Sequence, residues 1–204
     1  MIAIVDYGVG NLFSVASSLR AIGADSMIAG TPGEIRSADK ILLPGVGAFE
    51  DARRKLTDSG LEDAIISEVR AGKPILGICL GMQMLFERSL EYGVHKGLGF
   101  LKGEVSPMLG RVPEELKIPQ IGWNRLKIKA EHPIFKYTRD GDFVYFVHSY
   151  SVVGCEESLL ATTDYGIDIT AAVALDNVAG MQFHPEKSGE AGLRILKAFD
   201  EWRV

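Results

Sequence analysis

The stretch from Pro74 to Gln83 constrains the fold more than any other part of the chain. An apolar run behind a proline is typical of a buried strand, and we predict that a helix follows it from Leu80 to Arg88. Glycines stand two positions before and two positions after Cys79. This G-x-C-x-G pattern is typical of a nucleophile elbow, a sharp turn from a strand to a helix that exposes one side chain above the sheet. Neighbouring Cβ atoms would clash in so tight a turn, which explains the glycines.

The local pattern leaves two interpretations of Cys79 open. A free cysteine is usually a small buried hydrophobe. The flanking glycines and the change from strand to helix favour instead a reactive thiol. The predicted helix would also direct its amino end at the sulfur, where a partial positive charge favours the thiolate. Residues 184–186, far downstream, decide between the two.

Length and composition limit the classes of protein to consider. A chain of 204 residues suits one sizeable domain and is short for two, so we predict a single domain over residues 1–204. A formal net charge of −5 argues against nucleic acid as a main partner. No apolar stretch reaches the roughly 18 residues of a membrane span. Residues 1–5 lack the basic region and cleavage site of a signal peptide, so we expect a first strand there and a cytoplasmic protein.

The cysteines and histidines do not indicate a metal site. The chain has two cysteines and four histidines, with no C-x-x-C pair and no H-E-x-x-H helix, so we expect neither zinc nor another cofactor. Two cysteines without a secretory signal are typical of free thiols in a reducing cytoplasm. No base lies near Cys155 in the sequence, and we interpret it as an incidental surface or loop thiol.

The first half of the chain alternates between strand and helix patterns. Strands are predicted at residues 2–5, 25–29 and 40–43, helices at residues 12–22, 49–56 and 61–69, and a turn at residues 31–33. This alternation predicts an α/β fold with a mostly parallel central sheet and helices on both faces. Ligands bind at the carboxyl ends of such strands. We therefore expect the turns at Gly8, Gly45 and Cys79 to face one crevice.

The glycine turn over residues 6–11 only partly matches a dinucleotide-binding fingerprint. The third glycine of that fingerprint is missing, and partial matches are weak. We favour a tight turn between a strand and a helix, with Tyr7 and Asn11 exposed and available to a partner.

The second half of the chain is predicted to add short antiparallel strands. Residues 143–147 form a strong strand pattern, residues 159–162 a weaker one, and residues 171–175 and 178–183 a hairpin around Asp176 and Asn177. A final amphipathic helix is predicted at residues 192–202.

The hairpin delivers His184, Pro185 and Glu186 at its end. A cysteine nucleophile needs a base, and the base needs a third group that holds its tautomer. In an extended segment residues i and i+2 lie on the same side. Glu186 can then orient one ring nitrogen of His184 while the other faces Cys79, which predicts a catalytic triad.

Residues 77–83 and 182–186 together resemble the triad-type (class I) glutamine amidotransferases. Further stretches resemble, more narrowly, the glutaminase subunits of imidazole glycerol phosphate synthases, which serve histidine biosynthesis; these are residues 6–12, 44–49, 119–124, 145–150 and 184–188. The matching stretches run from residue 6 to residue 188 in the expected order. The triad motifs specify the superfamily, whereas Gly122-Trp123-Asn124 and Asp6-Tyr7-Gly8 specify the member.

The resemblance implies a flavodoxin-like fold and a role for each site residue. Cys79 would attack the side-chain amide of glutamine to give a glutamyl thioester and ammonia, with His184 as proton shuttle and Glu186 as its orienting group. The resemblance implies oxyanion donors at Val46, Gly47 and Leu80, and glutamine contacts at Gln83, Ser149 and Tyr150. Backbone donors suit an oxyanion because they are fixed and do not titrate.

The resemblance also implies a partner. Ammonia would pass to a separate (β/α)8-barrel cyclase subunit in a heterodimer. There it would react with a phosphoribulosyl formimino carboxamide nucleotide to give imidazole glycerol phosphate and an aminoimidazole carboxamide ribotide. Residues at the positions of Asn11, Trp123, Tyr145 and Lys187 would face that subunit. A core position for Trp123 stays open as an alternative, since tryptophan is buried on average.

Three other functions are compatible with parts of the pattern. A glutaminase subunit for a different acceptor would share the triad but lack the Gly122-Trp123-Asn124 stretch. A free-standing γ-glutamyl hydrolase would share the fold and the Cys-His pair but need no partner. A non-enzymatic binding subunit would have no use for an intact triad.

Overall fold

The computed structural model describes residues 1–203. The strands are β1 (Ile2–Val5), β2 (Ser26–Ala29), β3 (Lys40–Leu43), β4 (Ile75–Ile78), β5 (Phe86–Ser89), β6 (His95–Lys96), β7 (Leu101–Pro107), β8 (Gln120–Ile128), β9 (Phe143–His148), β10 (Tyr150–Val153), β11 (Leu159–Asp164), β12 (Asp168–Leu175) and β13 (Val178–Met181). The α-helices are α1 (Leu12–Ala21), α2 (Pro32–Ser37), α3 (Phe49–Asp58), α4 (Glu62–Arg70), α5 (Leu80–Met84) and α6 (Gly189–Glu201). Short 3₁₀ turns lie at Pro133–Phe135 and Pro185–Lys187.

A nine-stranded sheet in the order β2-β1-β3-β4-β13-β12-β11-β8-β9 forms the centre of the fold. The pairings from β2 to β13 are parallel, and those from β13 to β9 are antiparallel. The order of the parallel part is the flavodoxin-like one. The predicted α/β class is confirmed, with the parallel strands on one side of the sheet and the antiparallel strands of the C-terminal half on the other.

Helices cover both faces of this sheet, as predicted. On β1, Ile2 and Ile4 pack into a core with α1 and α6, whereas Ala3 and Val5 pack into a core with α2, α3 and α4. Side chains on a strand alternate between its two faces, so a strand buried on both faces reads as one continuous apolar run. A smaller sheet, β10-β7-β5-β6, packs into the second core.

The predicted helix from Leu80 to Arg88 is wrong beyond Met84, because the chain turns there into β5. β5 pairs with β7 and β6, and the carbonyl of Phe86 accepts the N–H of Gly99. A Cβ on Gly97 would overlap that same carbonyl oxygen. Pairing between distant strands therefore outweighs the local helical pattern. With five residues, α5 has little macrodipole to direct at the cysteine.

The predicted turn at residues 31–33 is instead the start of α2. The Thr31 side chain accepts the backbone N–H of Glu34, and the Glu34 carboxylate accepts the backbone N–H of Thr31. This reciprocal pair is a capping box, and Pro32 occupies the first turn of the helix. The Thr-Pro-Gly-Glu pattern therefore marks a helix start.

Tyr7, expected to be exposed, and Cys155, expected to be a surface or loop thiol, are both buried, although Cys155 does lie in a loop. Tyr7 is 4% exposed and donates its hydroxyl to the carbonyl of Pro44 at 2.7 Å, so it joins two turns and cannot face a partner. Cys155 is also buried, with its sulfur 3.6 Å from the hydroxyl of Thr170. Burial raises the pKa of the Cys155 thiol, which makes it an inert packing residue.

The predicted hairpin is confirmed: β12 and β13 pair antiparallel, and Asp176 between them has a left-handed φ of 50°. The final helix begins at Gly189, three residues earlier than predicted. Within residues 1–203, no helix combines the length and the apolar character needed to cross a membrane.

Candidate active site

Cys79 lies on a sharp turn between β4 and α5, with a left-handed φ of 54°. A Cβ on Gly81 would overlap the carbonyl oxygen of Leu43, and one on Gly77 would lie 2.7 Å from the backbone of Gly81. Both glycines are therefore required by space, as the elbow pattern predicts. A left-handed backbone conformation costs a non-glycine residue about 1–3 kcal/mol and persists only where the surrounding structure enforces it. Here the backbone N–H of Cys79 donates to Met181 on β13 at 2.7 Å.

The structure places His184 and Glu186 in contact. The Nδ1 of His184 donates to Oε1 of Glu186 at 2.8 Å, and the two side chains are 3% and 2% exposed. The segment is not extended as predicted, because Pro185 begins a 3₁₀ turn directly after His184. The turn brings the carboxylate back to the imidazole, so the predicted contact forms by a different backbone path.

The backbone of His184 is tied to the neighbouring strand. Its N–H donates to the carbonyl of Tyr145 on β9 at 2.9 Å. The hydroxyl of Ser188 donates to the carbonyl of His184 at 2.6 Å and accepts the N–H of Tyr145 at 3.0 Å. These bonds fix the position of the imidazole against β9.

The surroundings of His184 favour its charged form. Burial alone would lower its pKa, but Cys79 and Glu186 outweigh burial and raise the pKa to about 9. Its Nε2 is buried and makes no hydrogen bond to any residue from 1 to 203. An imidazolium beside a cysteine is the arrangement that activates thiol nucleophiles.

Cys79 and His184 line one cavity of about 550 Å³. Every residue predicted for the oxyanion and for glutamine lies on its wall: Val46, Gly47, Leu80, Gln83, Ser149 and Tyr150. The turn at Gly8 does not line this cavity, so the expectation of three turns in one crevice is wrong. That turn supports the cavity wall instead, because Gly10 packs against Pro44 and a Cβ there would lie 3.2 Å from the proline ring.

The turn from Gly45 to Gly47 needs its two glycines for different reasons. A Cβ on Gly45 would lie 2.8 Å from the backbone nitrogen of Gly81 and 2.9 Å from the hydroxyl of Tyr7. Gly47 has open space around it but a left-handed φ of 91°. Leu80, which packs against Gly45, is the first residue of α5, so its N–H has no acceptor within the helix.

Two buried polar residues of the site were missed by the sequence analysis. Gln182 is fully buried, and its Nε2 lies 3.7 Å from the Cys79 sulfur. His148 is also buried, and its Nδ1 donates to the carbonyl of Tyr150 at 2.8 Å. Burial lowers the pKa of His148 to about 4. The available signals were the two-residue spacing of Gln182 from His184 and the place of His148 at the end of a strong strand.

Three of the four predicted interface residues form one surface cluster, which we call the aromatic surface: exposed Trp123 and Lys187 with the half-buried Tyr145 between them. Trp123 is 51% exposed, which rules out the core alternative, and its ring packs edge-on against Tyr145 at 5.9 Å. The Lys187 ammonium lies 5.7 Å from the Tyr145 ring. Asn11 is exposed and caps the start of α1, where its side-chain oxygen accepts the N–H of Ser14. Helix α1 contacts the 3₁₀ turn that carries Lys187.

Two further apolar residues are exposed, one on the helix that Asn11 caps and one on the strand that carries Trp123. Phe13 on α1 is 80% exposed, and Ile121 on β8 is 61% exposed. Neither carries a distinctive motif, and exposure is visible only in the fold. Among residues 1–203, no group of three or more His, Cys, Asp and Glu side chains is placed to hold a metal ion.

Comparison with known proteins gives concordant matches. The family model described as glutamine amidotransferase class-I matches residues 3–201. Imidazole glycerol phosphate synthase subunit HisH of Caldanaerobacter subterraneus subsp. tengcongensis is 50% identical over 202 residues, which cover 98% of each chain. The protein of the same name from Methanosarcina acetivorans is 50% identical over 203 residues, again 98% of each chain. The solved structure of PurLQS from Thermotoga maritima superposes with a TM-score of 0.75 at 20% identity, covering 97% of this chain and 96% of the other.

Proposed function

Because the chain belongs to the class-I glutamine amidotransferase family, we propose that it hydrolyses glutamine and supplies the ammonia to a cyclase subunit of an imidazole glycerol phosphate synthase in histidine biosynthesis. The observation that carries this proposal is the buried His184–Glu186 pair, whose histidine lines the same cavity as Cys79. The identity of about 50% to the HisH proteins supports the choice of acceptor. We further propose that residues 1–204 form one domain, that it needs no cofactor, and that it works in the cytoplasm.

In the proposed first half-reaction the Cys79 thiolate attacks the side-chain amide carbon of glutamine. The carbonyl oxygen becomes an oxyanion, which accepts hydrogen bonds from the backbone N–H of Leu80 and from an N–H of the turn at Val46 and Gly47. His184 gives its proton to the amide nitrogen, ammonia leaves, and a glutamyl thioester forms. Fixed backbone dipoles suit this step because they need no reorganisation as the charge develops.

In the second half-reaction water attacks the thioester. His184 takes a proton from the water, the thioester carbon–sulfur bond breaks, and glutamate leaves as the thiolate is restored. Glu186 holds the imidazole in one tautomer throughout, through the 2.8 Å bond to Nδ1.

Gln83 is suited to hold the substrate because of how its amide is used. Its Nε2 donates to the carbonyl of Tyr150 at 3.2 Å and to Oε1 of Gln182 at 3.0 Å. Both donors are then engaged, and the side-chain oxygen remains to accept a hydrogen bond from a ligand. We assign it to the α-amino group of glutamine, with Ser149 and Tyr150 completing the contact.

Glu186→Gln is expected to slow glutamine turnover less than His184→Ala does. A glutamine at this position can still accept the Nδ1–H of His184, so the ring keeps its orientation. The loss of the negative charge should lower the pKa of His184 from about 9. Steady-state kinetics together with an NMR titration of the His184 ring measure both effects. A loss as large as that of a Cys79 variant would indicate that the carboxylate itself takes part in the chemistry.

We propose that the cyclase subunit, a (β/α)8 barrel, docks on the aromatic surface and on Asn11. An exposed tryptophan packed against a half-buried tyrosine is typical of the anchors at protein interfaces. Lys187 adds a positive charge beside the Tyr145 ring. The backbone bond from His184 to Tyr145 connects this surface directly to the proposed catalytic base.

Trp123→Ala is expected to raise the dissociation constant of the heterodimer by roughly 30-fold. Truncation of such an anchor costs about 2 kcal/mol, and each factor of ten corresponds to about 1.4 kcal/mol. Isothermal titration calorimetry with the cyclase subunit measures the change. Ile28→Ala is the matched control, since Ile28 is 49% exposed on β2, the opposite edge strand of the large sheet. An equal loss of affinity in both variants would contradict the proposed docking site.

The proposed function is tested by measuring glutamate release and imidazole glycerol phosphate formation together, with and without the cyclase subunit. We expect the two products to form in equal amounts in the complex supplied with the nucleotide acceptor. Glutamate release that is independent of the cyclase would favour a free-standing hydrolase. Glutamate release without product formation would indicate a different acceptor.

A further inference from the structure

Gln182 has no part in the mechanism described above, yet it touches the reacting sulfur. It follows β13 directly, is fully buried, and lies with Nε2 3.7 Å from Sγ of Cys79. Its backbone N–H donates to the carbonyl of Ala171 on β12 at 2.9 Å. The preceding residue, Met181, accepts the backbone N–H of Cys79. The amide and the sulfur are therefore positioned by the same strand.

A chain of hydrogen bonds determines which end of the Gln182 amide faces the sulfur. The carbonyl of Tyr150 can only accept, so the nitrogen of the Gln83 side chain must face it, at 3.2 Å. That nitrogen also lies 3.0 Å from the Gln182 side chain, which must then present its oxygen. The nitrogen of Gln182 is left to face Cys79. His148 also donates to this Tyr150 carbonyl, which holds the acceptor of the Gln83 amide in place.

From this geometry we propose that Gln182 is a catalytic residue, whose side-chain N–H donates a hydrogen bond to the Cys79 thiolate and stabilises it in the resting enzyme. A hydrogen bond to the charged form of an acid favours ionisation, and its effect is larger in a buried site than in water. The five-residue α5 contributes little dipole. We infer that the donor of Gln182 and the charge of His184, instead of the helix dipole, favour the thiolate form of Cys79.

Several titratable groups lie near the sulfur, and a variant that tests the Gln182 donor must leave their charges unchanged. His184 follows β13 and lines the same cavity as the sulfur. Tyr7 follows β1 and bonds to the carbonyl of Pro44, and it interacts with Cys79 electrostatically. His148 on β9 lies beside His184. Replacement of Gln182 by methionine keeps an unbranched side chain of similar length and adds no charge to this group. The substitution removes the donor that faces the sulfur and also the oxygen that accepts the Gln83 amide. The Gln83 amide bonds to Tyr150 and Gln182 rather than to the sulfur, so alkylation of Cys79 reports on the loss of the donor.

The test follows alkylation of Cys79 by iodoacetamide across pH, with peptide-level mass spectrometry to separate Cys79 from Cys155. In Gln182→Met the rate constant for alkylation near neutral pH is expected to fall roughly tenfold, because the thiolate loses a hydrogen-bond donor. Thr163→Val is the matched control, since Thr163 is buried and bonds to Arg125 on β8 rather than to the site. Its curve should coincide with that of the unmodified protein. Coincident curves for Gln182→Met and the unmodified protein would overturn the proposal.

A second measurement does not depend on a Gln182 variant that folds. In the ¹⁵N-labelled protein, a side-chain amide proton of Gln182 should shift with pH at the same midpoint as the alkylation of Cys79. The shift should vanish in Cys79→Ala. A resonance insensitive to the state of Cys79 would refute the hydrogen bond. The inference rests on the proposed function only in taking Cys79 as the nucleophile, and both readouts report on the thiol even if no glutamine were hydrolysed.

Discussion

Cys79→Ala is expected to abolish glutamine-dependent formation of imidazole glycerol phosphate while sparing formation driven by added ammonium salt. The thioester cannot form without the sulfur, and loss of a nucleophile in a comparable triad lowers turnover by more than 10⁴-fold. In the proposed function the acceptor chemistry belongs to the other subunit, so free ammonia should bypass the lesion. Steady-state product formation with each nitrogen source, in the assembled complex, separates the two outcomes.

The other cysteine provides the matched control for this experiment. Cys155→Ala removes a buried thiol that packs against Thr170 and lies away from the cavity. It should retain glutamine-dependent synthesis and lower thermal stability slightly, as small cavities in a core do. If Cys79→Ala lost ammonia-dependent synthesis while the subunits still bound each other, the proposed division between the two subunits would be wrong.

The isolated subunit is expected to hydrolyse glutamine at least ~100-fold more slowly than the complex that carries a cyclase ligand. Ammonia released without an acceptor is lost to water, so the glutaminase gains from being idle alone. The turn from Gly45 to Gly47 offers a physical switch, because rotation of a peptide beside glycine exchanges an N–H for a carbonyl at little steric cost. Loss of one oxyanion donor lowers turnover by about 10²–10³.

The structure limits where such a rotation can occur. Gly45 is packed against Gly81, Tyr7 and Leu80, whereas Gly47 has open space and a left-handed φ of 91°. We therefore place the rotation at the peptide between Val46 and Gly47. Tyr7 fixes the other end of the turn through its bond to Pro44.

The measurement is glutaminase turnover of the subunit, of the complex, and of the complex with cyclase ligand, all at saturating glutamine. Gly47→Ala destabilises the peptide orientation in which residue 47 has a positive φ. The ratio of turnover in the isolated subunit to turnover in the complex should therefore change. Gly60→Ala is the matched control, since Gly60 also has a left-handed φ of 73° and open space but lies outside the cavity. Equal turnover in all three states would eliminate the switch and favour a free-standing hydrolase.

The parallel half of the fold could be predicted because its signals are local. Continuous apolar runs marked β1, β3 and β4, and the glycines around Cys79 marked the turn to α5, where space alone demands them. The extent of α5 could not be predicted in the same way. Residues 86–89 carry no local preference strong enough to oppose pairing with β7, a strand whose contribution appears only after the chain has folded.

The same distinction explains the outcomes at the site. His184 and Glu186 are close in sequence, so their contact could be predicted even though the backbone path between them could not. Tyr7 looked exposed because a glycine turn surrounds it, but its ring is buried under the turn at Pro44, 37 residues away in the chain. Gln182 lies in a stretch that carries the family resemblance, but its contacts are with Gln83 and Cys79, both of which are distant in the chain.

The register of β9 positions both a residue of the cavity, His148, and a residue of the aromatic surface, Tyr145. Along this strand Val144, Phe146 and His148 are buried, and Tyr145 between them faces outward opposite Trp123 of β8. Because successive side chains point to opposite faces, a shift of one residue would send Tyr145 inward and the buried set outward. A single inserted or deleted residue within β9 would therefore disturb substrate recognition and subunit recognition at once. Substitutions along β9 can change substrate recognition or subunit recognition separately, whereas a change in the length of the strand would change both together.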